Sequence, residues 1–481
     1  MKIVLVEVVP EKSSLTMGTV PPLGLGYIAA SLEANGHSVS LIEGVNYDYS
    51  LQKALELIIN EKPNIVGFMA TSFARLRVVE LIKKVKEHTG ALTVAGGPHF
   101  HATAKQALLN IPELDIVVKG EGELTLVELA EFYNNGKDFG KVKGIIFRDN
   151  GQIAETIDRP MVMNLDDLPM PAYHLYNLSK YKGILKGTNL KAIGVISSRG
   201  CPNRCTFCAN RVLRKQALRL RDPNKFVDEI EFLHNTYGYE AFDFWDDTLT
   251  MVKSHIYAIC EEIIKRNLKI KWFARVRVNT VDRAILQRMK DAGCVSIAYG
   301  IESGSDKVLR SINKGATVAQ AEEAVKISSE VGFNISNYFI VSLPGESLVD
   351  VDATIKLMRK FSKYKNVHNY YCFAMIYPGT ELEQIAKEEK LIPGDFNWYQ
   401  HFYCQRNRIV GNDPIIPCYE KSELPLEQIK SYIVGSKSIA EKFSAVLRRL
   451  SKIKSFSEVR DMVSFYSRNI FYQFNKRKNV F

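Results

Sequence analysis

The 481-residue sequence lacks a hydrophobic run long enough to cross a lipid bilayer. A membrane-spanning helix needs roughly 18 or more predominantly apolar residues, and the longest candidates here, such as Tyr370–Tyr377, have the length of a β-strand. The first residues, MKIVLVEVVP, contain Glu7 inside their apolar run and show no small-residue cleavage motif, so they are typical of a strand and not of a secretory signal. We therefore expect a cytoplasmic protein, in which thiols stay reduced.

A fourth cysteine is missing from the one place where cysteines cluster. The segment SSRGCPNRCTFCAN places Cys201, Cys205 and Cys208 within eight residues. In a reducing compartment such a group is more often a metal site or a catalytic site than a disulfide. A structural zinc site takes four ligands, and a [4Fe–4S] cluster usually takes four thiolates. Three thiolates would leave one iron of such a cluster open to another ligand.

The other five cysteines show no comparable grouping. Cys260 lies in a predicted helix, and Cys294 and Cys372 lie in predicted strands, where cysteine is typical of a buried core. Cys404 and Cys418 lie in a loop-rich stretch, and two thiols alone cannot complete a second cluster. We therefore expect none of these five residues to bind a metal.

The first 145 residues alternate strand-like and helix-like segments. The predicted strands are Lys2–Val9, Val39–Glu43, Asn64–Met69, Ala91–Ala95 and Asp115–Val118. Apolar positions between them recur at helical spacing. Short apolar strands separated by helices form parallel sheets covered on both faces. The sequence therefore predicts an α/β domain of the flavodoxin-like or Rossmann-like kind, with its ligand at the carboxyl ends of the strands.

Three of these predicted strands are followed by loops of small or polar residues. The loops are Thr71-Ser72-Phe73, Gly96-Gly97-Pro98-His99 and Gly120-Glu121-Gly122-Glu123. Each loop alone could be only a tight turn. Because the carboxyl ends of parallel strands meet at one edge of a sheet, and glycine lets the backbone approach a ligand closely, the three loops together indicate a ligand groove.

A second alternating series follows a predicted linker. The linker, residues 146–190, contains Pro160, Pro169 and Pro171 and shows little sign of regular structure. The strands predicted after it are Ala192–Ser197, Ala241–Trp245, Lys269–Arg275, Cys294–Ile301, Asn334–Val341 and Val367–Ile376. Six units are fewer than the eight of a closed barrel, so residues 191–400 are expected to form a partial (β/α)6 barrel with its chemistry at the carboxyl ends of the strands.

The three cysteines follow the first strand of that barrel, and this arrangement resembles the signature of radical S-adenosylmethionine (SAM) enzymes. The segments WDDT, YGIES and YFIVSLPGE, which end later strands, are similar to that family as well, although the family often has glycine where Ser342 stands. The resemblance covers about Ala192–Leu391. An alternative interpretation is a zinc knuckle on an α/β scaffold.

The resemblance implies specific roles for these residues. In the family, three cysteines hold a [4Fe–4S] cluster whose open iron binds SAM. One electron, from an external reductant such as flavodoxin or ferredoxin, cleaves SAM to methionine and a 5′-deoxyadenosyl radical that abstracts hydrogen from the substrate. The implied cluster ligands are Cys201, Cys205 and Cys208. The implied SAM contacts are Phe207, Asp246, Asp247, Arg275, Glu302, Ser303 and Ser342.

The N-terminal half resembles the cobalamin-binding domain that precedes the barrel in one branch of this family. The implied cobalamin contacts are Thr71, Ser72, Gly96, Gly97, His99, Gly120, Glu121 and Gly122. Some cobalamin domains place a cobalt-ligating histidine after the first strand, but the corresponding loop here, Pro10–Thr19, contains no histidine. Cobalt is therefore expected to lack a histidine ligand from this loop. The alternative is a retained domain that has lost the corrinoid.

The resemblance favours methylation of an unactivated carbon in a small-molecule or lipid substrate. In that scheme one SAM yields the radical and another methylates cobalt. The first alternative is another radical reaction, such as cyclisation or oxidation without methyl transfer. The second is a corrinoid- or iron–sulfur-dependent sensor without enzymatic activity.

Basic residues accumulate at the end of the predicted helical extension, residues 401–481. The net charge of the chain is +11, and Ser436–Phe481 contains eleven basic and three acidic residues interleaved with apolar and aromatic ones. A basic amphipathic segment can cover the open side of the barrel or lie on an anionic membrane surface. Nucleic-acid binding is the least favoured interpretation, since no RNA-binding motif is evident. A cytoplasmic protein with peripheral membrane contact is therefore a second expectation.

Overall fold

The computed structural model describes residues 1–10, 20–45, 47–48, 50–136, 138–214, 217–400 and 416–435. The loop expected to lack a cobalt ligand, Cys404 and the basic segment Ser436–Phe481 fall outside these residues, except for Pro10. Within the described part of the chain, no helix has the length and apolar character needed to span a membrane.

The N-terminal half forms the expected flavodoxin-like sheet. Its parallel strands are β1 Lys2–Val8, β2 Ser38–Ile42, β3 Ile65–Ala70, β4 Leu92–Gly96 and β5 Ile116–Val118. The helices between and after them are α1 Leu23–Ala34, α2 Leu51–Asn60, α3 Arg75–His88, α4 Pro98–Asn110 and α5 Glu123–Asn134. The strand order β2-β1-β3-β4-β5 is that of flavodoxin-like folds. The prediction for this domain is confirmed.

The sheet continues into the segment predicted to be an irregular linker, so that prediction is wrong at its start. Two further strands, β6 Ile145–Asp149 and β7 Gln152–Glu155, extend the sheet in antiparallel fashion beyond β5. The turn between them is Asn150-Gly151, and both residues have positive φ, 47° and 84°. Asn-Gly is the preferred dipeptide of a two-residue hairpin turn, because that turn requires positive φ at both positions.

The rest of the linker packs against both halves of the chain and follows an irregular path with short 3-10 turns. The Tyr176 hydroxyl donates to the carbonyl oxygen of Pro22 at 2.8 Å, and the Tyr173 hydroxyl donates to Glu229 at 2.6 Å. Both tyrosines are buried in a hydrophobic core that contains residues of the first sheet and of the barrel. The linker therefore fixes the two halves in one compact unit, Met1–Leu426.

The second half forms a partial barrel, as expected. Its elements in chain order are β8 Ala192–Val195, β9 Ser198–Arg199, α6 Asn210–Arg214, β10 Arg219–Leu220, α7 Pro223–Tyr237, β11 Ala241–Phe244, α8 Lys253–Lys265, β12 Lys271–Val276, α9 Arg283–Asp291, β13 Cys294–Glu302, α10 Asp306–Ser311, α11 Val318–Val331, β14 Asn334–Val341, α12 Leu348–Phe361, β15 Val367–Phe373 and α13 Glu381–Glu388. Strands β8, β11, β12, β13, β14 and β15 are parallel neighbours in that order, while β9 and β10 form a separate antiparallel pair. A further helix, α14, spans Leu426–Gly435.

Cysteines outside the motif follow the expectation in part. Cys260 and Cys294 are buried, as predicted. Cys372 is exposed, so its assignment to the core is wrong. It lies on β15, the last strand in the order of the barrel sheet, and no further strand of the described chain pairs with its outer edge. Apolar sequence at an edge strand does not guarantee burial.

Candidate cofactor and active site

One cavity of about 1520 Å³ runs from the carboxyl edge of the first sheet into the barrel. Its lining contains these predicted residues: Thr71, Gly96, Gly97, Gly120, Glu121, Gly122, Cys201, Cys205, Phe207, Cys208, Asp247, Arg275 and Glu302. The volume exceeds the roughly 300–1,000 Å³ of an ordinary small-ligand pocket. The structure thus brings the two predicted binding regions to one space.

Five predicted residues lie behind the cavity wall instead. These are Ser72, His99, Asp246, Ser303 and Ser342, all buried and absent from the lining. Asp246 accepts hydrogen bonds from the Ser197 hydroxyl, at 2.7 Å, and from the Ser198 hydroxyl. The Ser342 hydroxyl accepts one from the backbone of Ala374 at 3.2 Å. These side chains support the strand ends that carry the lining residues.

The loop that carries the three cysteines is shaped by Gly200. Its φ is +97°, and a Cβ atom there would collide with the carbonyl oxygen of Ala217. Its N–H donates to the Asp247 carboxylate at 3.0 Å. Glycine is thus required where the chain turns from β9 into the cysteine motif, and Asp247 ties that turn to the end of β11.

All three cysteines of the motif are free and line the cavity. The Asn203 amide lies 3.1 Å from the Cys201 sulfur, and the Arg277 guanidinium lies 4.0 Å from the Cys205 sulfur. Burial raises the pKa of the Cys208 thiol to about 11, and a bound metal would favour its thiolate form. Arg277 is therefore a cation beside the Cys205 sulfur, and the sequence pattern alone assigned it no role.

A single metal ion and an iron–sulfur cluster require different arrangements of their protein ligands. Within the described residues, no three His, Cys, Asp or Glu side chains converge as ligands of a single metal ion. A [4Fe–4S] cluster needs no such convergence, because each thiolate binds a different iron. Three cavity-facing thiols on a tightly turned loop therefore fit the cluster.

Two pairs of oppositely charged side chains line the barrel part of the cavity. Glu302 and Lys314 are both nearly buried and form an ion pair at 2.6 Å. Arg275 pairs with Asp243 at 2.6 Å. Lys314 and Asp243 were not predicted, and both line the cavity. A wall with both signs of charge suits the amine and carboxylate of SAM.

The carboxyl edge of the first sheet leaves space for a large second ligand. A Cβ atom built on Gly96 would contact Val118 alone among the described residues, at 3.8 Å. One built on Gly120 would meet no heavy atom of the described chain within 4 Å. Side chains at these two positions would therefore occupy the cavity. The absence of those side chains fits a bulky group such as cobalamin at this edge.

His99 lies beside this edge in an aromatic surrounding and not in the cavity lining. Its Nδ1 is 3.0 Å from the Ser72 hydroxyl, and its ring packs against Tyr399 and Trp398 with centroid distances of 5.4 and 6.1 Å. Burial, together with the charge of Arg75, lowers the pKa of His99 to about 3. His99 is therefore neutral at neutral pH in the folded protein.

The low pKa of His99 predicts a pH-dependent loss of stability. The unfolded chain binds a proton at His99 below about pH 6.5, but the folded chain does not until about pH 3, so stability falls as the pH drops through this window. Between about pH 7.5 and about pH 5, we expect the unfolding free energy of the wild type to fall by about 2 kcal/mol more than that of His99→Phe. Urea unfolding at both pH values measures this. An equal loss in both proteins would contradict the prediction.

A buried ion network joins the cobalamin-side loop to the strand that precedes the cysteines. Arg219 donates two hydrogen bonds to Glu121, both at 2.8 Å. Arg199, two residues before Cys201, pairs with Glu121 at 3.2 Å and with Glu123 at 2.8 Å. Burial opposes the charge on Glu121, but the two arginines hold its pKa below the usual value. The network links the positions of the two cofactor regions.

A partial barrel with three cysteines after its first strand, joined to a flavodoxin-like sheet across one cavity, defines a radical SAM enzyme with a cofactor-binding N-terminal domain. Residues 195–358 match the family model of the radical SAM superfamily, and residues 16–130 match that of the B12 binding domain. The chain is 34% identical over 409 residues to an uncharacterized methyltransferase, PH0819, of Pyrococcus horikoshii, covering 83% of this chain and 86% of that protein.

Two further comparisons agree with this assignment. The chain is 29% identical over 420 residues to the anaerobic magnesium-protoporphyrin IX monomethyl ester cyclase of Cereibacter sphaeroides, covering 81% of this chain and 68% of that protein. Its fold is similar to the solved structure of the cobalamin-dependent SAM radical enzyme OxsB with aqua-cobalamin bound, with a TM-score of 0.73, 18% identity, and coverage of 97% of this chain and 71% of that one. The chain belongs to the family of radical SAM enzymes that contain a B12-binding domain.

Proposed function

We propose that this enzyme uses a [4Fe–4S] cluster, SAM and cobalamin to methylate an unactivated carbon of a small-molecule substrate. The observation that carries the proposal is the single cavity lined by both the cluster cysteines and the glycine loops of the B12-binding domain. When bound, the cluster delivers one electron to SAM for radical formation, and cobalamin carries the methyl group. Methyl transfer requires the two cofactors to reach the same substrate, and one continuous space allows this.

Named residues support each cofactor in this proposal. Cys201, Cys205 and Cys208 would hold the cluster. The proposed SAM contacts that face the cavity are Phe207, Asp247, Arg275 and Glu302, and the proposed cobalamin contacts that face it are Thr71, Gly96, Gly97, Gly120, Glu121 and Gly122. Most of the surface that lines the cavity is apolar, and it would help to exclude water from the reacting atoms.

The experiment combines the full-length protein, reconstituted with iron, sulfide and cobalamin under anaerobic conditions, with SAM, a reductant and an extract of small molecules. We expect 5′-deoxyadenosine to form, together with a product one methylene heavier than its precursor in a cobalamin-dependent manner. Flavodoxin or ferredoxin would serve as the protein reductant. Absence of SAM cleavage in cluster-loaded protein would contradict the proposal.

The similarity to a cyclase favours one alternative, a radical cyclisation without methyl transfer. Both reactions share the cluster and SAM, so formation of 5′-deoxyadenosine does not separate them. Product mass does, because cyclisation by loss of hydrogen lowers the mass and methylation raises it. A cobalamin-dependent product that is no heavier than its precursor would contradict methylation and support cyclisation.

A further inference from the structure

The barrel is open on one side, and a segment of the linker lines the cavity there. The edge strands β8 and β15 are not paired with each other. Ile184 forms an antiparallel bridge with Lys191, just before β8, and Lys186 reaches Tyr338 on β14. Lys182, Ile184 and Lys186 all line the cavity that contains the cluster cysteines. This open side is thus continuous with the proposed active site.

Large apolar side chains are exposed on this side of the cavity. Tyr338 and Tyr370 stack with a centroid distance of 5.4 Å and an interplanar angle of 24°. Their exposed fractions are 39% and 45%, and that of Ile184 is 55%. Exposed apolar side chains grouped in a cavity are typical of a ligand site. Two stacked rings offer a flat surface to an apolar or unsaturated ligand.

Lys186 adds a positive charge to this apolar surface. Its Nζ lies 2.6 Å from the Tyr338 hydroxyl and 3.3 Å from the Ser336 hydroxyl. It also lies 5.0 Å and 5.1 Å from the ring centroids of Tyr370 and Tyr338. These contacts hold the ammonium group in place, but all of them are with neutral groups.

Lys186 differs from two other cations of the same cavity in the groups that surround it. Lys314 and Arg275 each pair with a carboxylate. Among the described residues, neither Lys186 nor Lys182 has a carboxylate within ion-pair distance. Both lysines are exposed to solvent, and an ammonium group on a cavity wall without a counter-charge favours an anionic ligand. The phenyl ring of Phe273 lies next to both Lys186, at 5.9 Å, and Arg275, at 4.9 Å, so this site adjoins the proposed SAM site.

We propose that this open side binds the substrate, and that the substrate is an anion with an apolar or unsaturated body. Its carboxylate or phosphate group pairs with Lys186, assisted by Lys182, and its body packs on Tyr338 and Tyr370. The inference rests on the proposed function, because it names the substrate class of the same cavity.

Equilibrium dialysis against the full-length protein tests this site without SAM or reductant. The probes are anilinonaphthalene sulfonate, an aromatic anion, and phenylnaphthylamine, its uncharged counterpart. We expect Lys186→Met to weaken binding of the anion about tenfold, as for loss of a charged hydrogen bond, and to leave binding of the neutral probe unchanged. Lys186→Arg should restore anion binding. Tyr370→Ala should weaken binding of both probes.

The control is Lys269→Met, which removes an exposed lysine outside the cavity lining and should change neither affinity. Displacement of the anion by dodecanoate or by dodecyl phosphate then distinguishes a carboxylate site from a phosphate site. Equal affinity of the anion for wild type and Lys186→Met, or displacement by neither competitor, would overturn the proposal. Because the assay contains no SAM, its result is independent of whether SAM cleavage is observed.

Discussion

Replacing Cys208 with serine should abolish SAM cleavage. The Cys208 thiol lines the cavity and lies in the same tight loop as Cys201 and Cys205, with its backbone N–H donating to the carbonyl oxygen of Cys205 at 3.2 Å. Serine keeps the size of the side chain but is a poor ligand for iron, so the cluster would lose one of three protein ligands. Reconstituted variant protein should lack the visible iron–sulfur absorption and produce no 5′-deoxyadenosine.

A matched substitution elsewhere shows that the effect belongs to the site. Cys372→Ser changes an exposed thiol on β15 that lies outside the cavity lining. This variant should bind iron and cleave SAM as the wild type does. The circular dichroism of both variants should match the wild type, since neither thiol is needed for the core. Formation of 5′-deoxyadenosine by Cys208→Ser at the wild-type rate would contradict the proposed cluster site.

The second large effect is expected from Glu121→Gln. Glu121 is the shared carboxylate of Arg199 and Arg219, and the side chain of Arg219 is 1% exposed. The amide of glutamine has the same shape but no charge, so a buried guanidinium would lose its counter-charge. Breaking a buried ion pair by removing one partner typically costs about 3–5 kcal/mol of unfolding free energy. Chemical unfolding of the full-length protein measures this loss.

Glu261→Gln provides the control, because Glu261 pairs with Arg288 at the surface and its side chain is 58% exposed. Exposed pairs contribute up to about 1 kcal/mol, so this variant should keep nearly all of its stability. If Glu121→Gln is destabilised no more than Glu261→Gln, the network does not hold the two regions together. Cobalamin affinity of Glu121→Gln, measured by its absorption spectrum on titration, should fall as well, since Glu121 also lines the cavity.

The strands and the cysteine loop could be predicted because local patterns specify them. Apolar segments of strand length separated by amphipathic helices determine a parallel sheet, and the three cysteines are adjacent in the chain. The Asn150-Gly151 hairpin carried a signal of the same local kind, which proline content in the following residues obscured.

Which of two neighbouring residues faces the cavity could not be predicted. Glu302 lines the cavity and Ser303 does not, because a register shift between β13 and β14 at Gly300 and Glu302 re-aims the strand end, where Glu302 has a φ of +69°. Irregular pairing of this kind depends on the partner strand. A sequence pattern on one strand contains no information about it.

Ion pairs between the two halves also could not be predicted from the sequence. Arg219 and Glu121 are 98 positions apart, and nothing near either residue identifies its partner. Lys314 and Glu302 both belong to the barrel and are 12 positions apart, but their pairing follows from the path of the loop after α10, which the sequence pattern does not show. Pairing of charges depends on the assembled fold. Three site residues that the sequence did not reveal, Arg219, Asp243 and Lys314, all belong to such pairs.

The contacts of helix α4 with the second half of the chain restrict how these domains can be recombined. His101 on this helix donates a hydrogen bond from Nε2 to the Val212 carbonyl oxygen after the cysteine motif, Gln106 donates to the Phe396 carbonyl oxygen, and Thr103 contacts the Tyr399 hydroxyl. A chimera joined within residues 146–190 would transfer one half of each of these contacts without the other. Exchange of a B12-binding domain between relatives therefore calls for grafting the residues around 212, 219 and 396–399 with it.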